Sequence, residues 1–350
     1  MKFILYLLIL LICAAGLGGL YFWNQVSLPN SDNEGTVFFT VSQGEGVKII
    51  AVHLLEQGLI RDQFWFETFV YLDRSEAKFI AGSYQLAKNL DIREVANLMT
   101  SGSNTPEDSI TVIEGWTSQD IANYLEKNGR ATAADFLAAA ETIDSRALLP
   151  EKDYDFLADK PASQDLEGYL FPDTYRIYSD SRPAEIVEKM LDNFGDKYTQ
   201  QMRADTIKGN LTIYQVVTLA SIIQKETNIV LDQNGKPLNN DHYIVAGIFY
   251  NRLNAGIPLQ SDATVNFVTG KQDTQPSAAD LETESPYNTY KYKGLPPGPI
   301  GNPSLEAIKA AIYPEKTDYL YFLHKIHSDG STVFSKTYEE HLENKRKYLQ

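Results

Sequence analysis

Asn210-Leu-Thr-Ile-Tyr-Gln-Val-Val-Thr-Leu-Ala-Ser-Ile-Ile-Gln-Lys-Glu-Thr227 is the stretch on which the reading of this chain turns. Ile213, Val216, Val217, Leu219, Ala220, Ile222 and Ile223 recur at three- and four-residue intervals around most of a helix, which predicts a helix enclosed by its own domain. Glu226 continues the rim of that apolar stripe in the last turn. The helix dipole is negative there and partial burial disfavours a carboxylate, so both effects raise its pKa toward the range of a general acid. The plainer alternative is a solvated charge beside Lys225 at a helix end.

The surrounding 350 residues carry a net charge of -15, which argues against nucleic acid or anionic lipid as the main partner. Cys13 is the single cysteine, so no intrachain disulfide can form. Phe3 to Trp23 holds no charged residue and is long enough to cross a bilayer as a helix, with Lys2 before it and Asp32 and Glu34 after it. Residues 1–24 are therefore expected to be a transmembrane anchor, N-terminus inside. A cleaved signal peptide is the competing reading, although no small-x-small site closes the run. Residues 25–35, rich in Asn, Asp, Pro and Gly, are expected to be a linker.

Thr36 to Val41 alternates as a strand does, and Val47, Ile50, Ala51, Leu54 and Leu55 follow at helical spacing before Gly58. Asp62 can cap a second helix, Lys78 to Leu86 reads as a returning strand, and Asp91 with Glu94 starts a third helix that stops near Gly102. Phe39–Gly58 and Ile110–Gly129 align without a gap at an offset of 71 residues, matching Gly44 with Gly115, Ile50 with Ile121, Leu54 with Leu125 and Gly58 with Gly129. The pattern is a repeated strand, glycine turn, amphipathic helix and stop, or simply what any such unit requires. The first copy resembles the opening of a LysM domain, a glycan-binding module. That resemblance implies a small α/β module over residues 36–103, with plain packing as the alternative role.

Leu166-Glu-Gly-Tyr-Leu-Phe-Pro-Asp-Thr-Tyr175 suits either a wall that stacks on sugar faces or an aromatic core edge. Asp232 to Asp241 is a polar, turn-rich loop, and Tyr243 to Leu253 a helix. Gly294-Leu-Pro-Pro-Gly-Pro-Ile-Gly-Asn-Pro303 holds four prolines and three glycines and fixes a rigid irregular loop, fit for the wall of a site. Asp318–Leu323 and Thr332–Phe334 read as strands joined through Asp329-Gly330, and a charged helix starts at Tyr338.

No phosphate-cradling glycine loop, nucleotide fingerprint, HExxH or Gly-x-Ser-x-Gly elbow occurs, and Ser221 lies inside the apolar helix. His324 and His327 are too few for a zinc site. Carboxylate chemistry is what remains, and glycoside cleavage needs an acid on the leaving oxygen.

Leu219-Ala-Ser-Ile-Ile-Gln-Lys-Glu-Thr227, Glu114-Gly115, Glu167-Gly168 with Phe171-Pro-Asp-Thr174, Asn251-Arg-Leu253, Leu259-Gln-Ser-Asp262, Tyr287-Asn-Thr-Tyr290 and Gly294-Leu-Pro-Pro-Gly298 resemble the endolytic murein transglycosylase family (MltG, YceG-like). The resemblance runs from the anchor to the C-terminus. It implies an α+β protein whose residues 104–350 form the transglycosylase domain. It implies non-hydrolytic cleavage of the MurNAc-GlcNAc β-1,4 bond to a 1,6-anhydro end, with Glu226 as acid and then base. Gln224 stands where the family commonly has a glutamate. Gln224, Asp262, Tyr287, Asn288, Tyr290 and Glu167 are the residues expected to bind glycan or support developing charge. The family implies no cofactor and no metal. As partners it implies peptidoglycan glycan strands and cell-wall synthases, while the uncharged run implies the cytoplasmic membrane through residues 3–23, with an extracytoplasmic catalytic domain. A non-catalytic glycan-binding scaffold and an ordinary glycoside hydrolase are the alternatives.

Overall fold

A computed structural model describes residues 2–32, 35–101, 107–141, 154–178, 181–227, 241–271, 275–325 and 331–349. The loop expected at Asp232–Asp241, except Asp241 itself, the stop near Gly102 and the turn at Asp329-Gly330 lie outside the described residues. The chain divides into two compact units, Met1–Asp108 with Tyr178–Asp180, and Ser109–Ile177 with Ser181–Gln350.

In the first unit, helix α1 (Lys2–Ser27) precedes β1 (Thr36–Val41), α2 (Val47–Glu56), α3 (Gln63–Leu72), β2 (Gly82–Ala87) and α4 (Ile92–Ser101). Strands β1 and β2 pair antiparallel, Thr36 opposite Ala87 and Val41 opposite Gly82. The expected caps form: Asp62 accepts from the Trp65 amide, and Asp91 and Glu94 exchange side-chain to backbone bonds at 2.9 Å. The transmembrane expectation is corrected. Among the described residues no helix is long and apolar enough to cross a membrane. The last turns of α1 pack on protein instead: the Tyr21 and Phe22 rings meet Trp65, Arg93 lies over Trp23, and Val26 is enclosed in this unit's core. Gly16, Gly18 and Gly19 further dilute the apolar run. The single-pass topology is not supported by this helix, and residues 25–27, expected in a linker, continue it.

Strand β3 (Glu107–Thr111) leads into the second unit, followed by α5 (Ser118–Lys127), α6 (Ala133–Glu141), β4 (Thr174–Tyr178), α7 (Pro183–Lys197) and α8 (Gln200–Lys208). Strand β3 pairs with β4. The internal repeat is visible in the backbone. Helices α2 and α5 begin and end 71 residues apart, and the paired glycines match: φ is +80° at both Gly44 and Gly115, and +66° and +65° at Gly58 and Gly129. Left-handed backbone at both the entry turn and the stop is what selects glycine there.

The chain continues through α9 (Ile213–Glu226), α10 (Asp241–Asn254), α11 (Asp262–Thr269), the short α12 (Ala278–Leu281) and α13 (Leu305–Ile312). The antiparallel hairpin β5 (Tyr321–His324) and β6 (Thr332–Ser335) follows, then α14 (Tyr338–Tyr348). Helix α9 is the core helix expected from its spacing: every residue from Tyr214 to Ile223 except Gln215 is buried. Full burial of a Val, Leu or Ile contributes about 1.5–3 kcal/mol relative to exposure. Its N-terminus is doubly satisfied, by the Thr212/Gln215 capping box and by the Asp159 carboxylate, which accepts from the Ile213 and Tyr214 amides. Helix α13 packs against it and buries Ala307, Ile308, Ala310 and Ala311.

Candidate active site

Glu226 closes α9 and is half-buried, not a solvated charge. Its Oε1 accepts a hydrogen bond from the Ser261 hydroxyl. Ser261 is the N-cap of α11, where a serine hydroxyl ordinarily accepts from an amide of the first turn, yet it makes no such bond. Its hydroxyl is committed to Glu226, and the carboxylate also takes the Ala263 amide. Glu226 therefore supplies, from another helix, the acceptor that the first turn of α11 requires.

The electrostatics oppose one another. Burial pushes the Glu226 carboxyl up and the neighbouring Asp262 charge adds to this. The Ser261 hydrogen bond, the His324 ring and the Ala263 amide pull it down, and the balance lies above the ordinary value. Such a group can hold a proton and release it to a bound substrate.

Ser261 is held firmly. Its amide donates to Thr289 Oγ1 at 3.0 Å, and Gln260 before it adopts a left-handed backbone, φ +52°, with its amide on the Thr289 carbonyl. A non-glycine residue in that region costs about 1–3 kcal/mol and persists only where its surroundings impose it. Arg252, buried, ties the same segment down by donating to the Leu259 and Leu320 carbonyls.

The other expected site residues divide. Asp262 opens α11 beside Glu226 and accepts from the Tyr290 hydroxyl at 2.6 Å, so these two share the neighbourhood of the acid. Burial and the Asp262 carboxylate push the Tyr290 phenol upward, keeping it a donor. Asn288 is fully enclosed: its amide nitrogen donates to the Leu281 and Thr283 carbonyls and its oxygen accepts from the Tyr290 amide. It shapes the loop that carries Tyr290. Tyr287 packs on Phe267 and its hydroxyl lies 3.4 Å from Gln164.

Gln224 turns to a different neighbour, its side-chain oxygen accepting from the Ser304 amide at the start of α13. Glu167 is buried, accepting from the Ser118 amide and the Asn302 side chain, and burial raises it to about 8. It joins α5 to the proline-rich loop and makes no bond to Glu226. The aromatic segment behaves as core edge, since Tyr169, Phe171 and Tyr175 are all buried.

The proline-rich loop is laced along α9: the Ile300 amide donates to Ser221 Oγ and the Tyr214 hydroxyl donates to the Pro297 carbonyl. Ser221 is thus a tether. Sequence reading did not single out Ser261, Thr289 or a role for His324 beyond metal binding. Ser261 lay within the quoted Leu259–Asp262 segment, but nothing in one sequence shows that its hydroxyl turns away from its own helix. Among the described residues no group of three or more His, Cys, Asp or Glu side chains is placed to hold a metal ion.

The model of the YceG-like family matches residues 39–347. The endolytic murein transglycosylase of Bacillus subtilis (strain 168) is 32% identical over 342 residues, covering 95% of this chain and 91% of that protein. The endolytic murein transglycosylase of Streptococcus pneumoniae serotype 2 (strain D39 / NCTC 7466) is 30% identical over 362 residues, covering 95% of this chain and 62% of that longer protein. The 2.6 Å crystal structure of a yceG-like protein from Listeria monocytogenes superposes with a TM-score of 0.58 at 29% identity, over 89% of this chain and all of that one. With the match running from the first unit through the C-terminal helix, the chain belongs to the YceG-like family.

Proposed function

We propose that this chain is an endolytic murein transglycosylase, cleaving the MurNAc-GlcNAc β-1,4 bond within peptidoglycan strands, and that Glu226 carries the proton. The relatives named for that activity support the reaction class. The observation that carries the residue assignment is the half-buried Glu226 carboxyl, raised above its ordinary value and oriented by Ser261 across from its own helix.

In this reading Glu226 protonates the glycosidic oxygen as the bond from the muramyl C1 breaks, leaving a positively charged C1. The muramyl 6-hydroxyl oxygen then bonds to C1 and its proton returns to Glu226. One group serves twice because the nucleophile is part of the substrate, so no second carboxylate and no activated water is required. Asp262, held by Tyr290, supports the developing positive charge beside Glu226. Gln224 and Glu167, bound to Ser304 and to Ser118 with Asn302, act through the fold. Action on murein places the second unit outside the cytoplasm.

A glycoside hydrolase using Glu226 with Asp262 is the rival that this geometry allows, since the two carboxylates are electrostatic neighbours. Mass spectrometry of purified glycan after digestion separates them: anhydromuramyl ends are expected, and reducing ends from the same cuts would establish hydrolysis.

A further inference from the structure

The last turn of a helix leaves carbonyls without helical partners. At the end of α9 two are filled from outside the ladder. Thr227 Oγ1 donates to the Ile223 carbonyl at 2.7 Å, and His324 Nε2 lies 2.7 Å from the Glu226 main-chain oxygen. A carbonyl only accepts, so Nε2 carries a hydrogen. The other ring nitrogen, Nδ1, lies 3.2 Å from Thr332 Oγ1, its partner across the hairpin in the β5–β6 register. Thr332 has one hydroxyl proton and donates it to Asp241 Oδ2. With that proton committed, Thr332 offers the ring a lone pair, and Nδ1 must donate too. The reverse arrangement would need a neutral Asp241 in the first turn of α10, where the helix dipole favours a negative charge.

We infer that His324 is a positioning residue for Glu226: an imidazolium, anchored through Thr332 to Asp241, that clamps the Glu226 main-chain carbonyl and sets a positive charge at the negative end of α9. The role in catalysis rests on the reading of Glu226 as proton carrier, whereas the state of the ring does not. His324 touches main chain and not substrate. Its charge offsets the helix dipole at the place where Glu226 becomes a carboxylate after its first proton transfer. Among the described residues, the groups facing Glu226 are Ser261, Asp262 and the Ala263 amide from α11, His324 from β5, the Tyr290 phenol from the loop before the proline-rich segment, and Arg252 from α10, whose guanidinium interacts with it at longer range. Among the described residues, those facing His324 are the Glu226 carbonyl and carboxyl, Thr332 with Asp241 behind it, and the Phe322 ring in a T-shaped contact.

The test uses the full chain labelled with 15N-histidine. Long-range 1H–15N spectra at pH 7 are expected to show both His324 ring nitrogens protonated, the signals being assigned by their loss in His324→Gln. Thr332→Val, which removes the acceptor of Nδ1, is expected to return the ring to a neutral form protonated on Nε2. A wild-type ring with one bare nitrogen overturns the inference. In turnover of purified glycan, His324→Gln keeps a donor for the carbonyl but loses the charge. We expect kcat to fall about tenfold with KM within about twofold, the scale of a favourable helix-end cation. Without the cation Glu226 holds its proton more tightly, so the basic limb of the pH–rate profile moves to higher pH. An unchanged kcat and profile would remove the positioning role. Glu226→Gln in the same assay reports on the functional reading itself: full activity there defeats that reading and leaves the ring spectrum to stand or fall alone.

Discussion

Ser221→Ala removes one oxygen atom from the centre of α9, and the structure sets what that costs. Ser221 is buried, its Oγ accepting from the Ile300 amide at 3.0 Å and donating to the Thr218 carbonyl at 2.7 Å. The Thr218 carbonyl keeps its place in the helical ladder, so losing the second bond matters little. The Ile300 amide has no such reserve: Ile300 is 1% exposed and its loop is fixed by prolines on either side. A buried donor left without an acceptor costs about 1–3 kcal/mol. For a unit of this size each kcal/mol lowers the melting temperature by about 2–4 °C, so a drop of roughly 5 °C is expected by calorimetry. Thr218→Val is the matched control, because the Thr218 hydroxyl is equally buried but bonds only to the Tyr214 carbonyl of its own helix. Its loss should cost under about 1 kcal/mol. If Ser221→Ala destabilises no more than Thr218→Val, the loop is not held through this hydroxyl and the account of the site wall is wrong.

Gly168→Ala places a methyl group 2.7 Å from a Val217 methyl and 2.6 Å from the Pro299 ring at φ +90°, so soluble yield or melting temperature should fall by the equivalent of about 2–4 kcal/mol; near-wild-type stability would contradict the packing described. Glu167, pushed by burial to about 8, keeps a proton in the folded state that the unfolded chain releases above about 4.5. Raising the pH from 5 to 8 therefore favours unfolding, by up to about 4 kcal/mol, and urea midpoints should fall over that window in the wild type more than in Glu167→Gln; parallel slopes would sink the argument. Asn288→Ala deletes three hydrogen bonds inside the Tyr290 loop, about 2–4 kcal/mol locally, and should raise KM for glycan; unchanged binding and turnover would show that the loop does not serve the site.

Much of the fold was legible because it is written in periodicity and punctuation. The buried run of α9 and the doubled strand, glycine turn and helix follow from spacing that any neighbourhood would respect. The N-terminal helix was misjudged because apolar length alone does not say whether aromatic turns face lipid or protein; Phe22 and Val26 are claimed by the first unit's core. Helix α11 was missed because its short span begins inside the segment quoted as Leu259–Asp262, and its N-cap hydroxyl is spent elsewhere. The half-burial of Glu226 follows from its place on an apolar rim. Gln224 and Glu167 could not be assigned, since whether a polar side chain reaches a substrate or a buried amide depends on partners about 80 and 49 residues away. The same holds for His324, which meets Glu226 across 98 residues.

The central claim is that one half-buried carboxyl moves the proton in both halves of the cleavage. Its most direct test is mass spectrometry of purified glycan strands incubated with wild type and Glu226→Gln at equal concentration and matched melting temperature. General acid–base groups contribute about 10²–10⁴-fold, so anhydromuramyl-ended fragments should appear with the wild type and fall by at least a hundredfold with the variant. Anhydromuramyl release by Glu226→Gln at the wild-type rate would contradict the account.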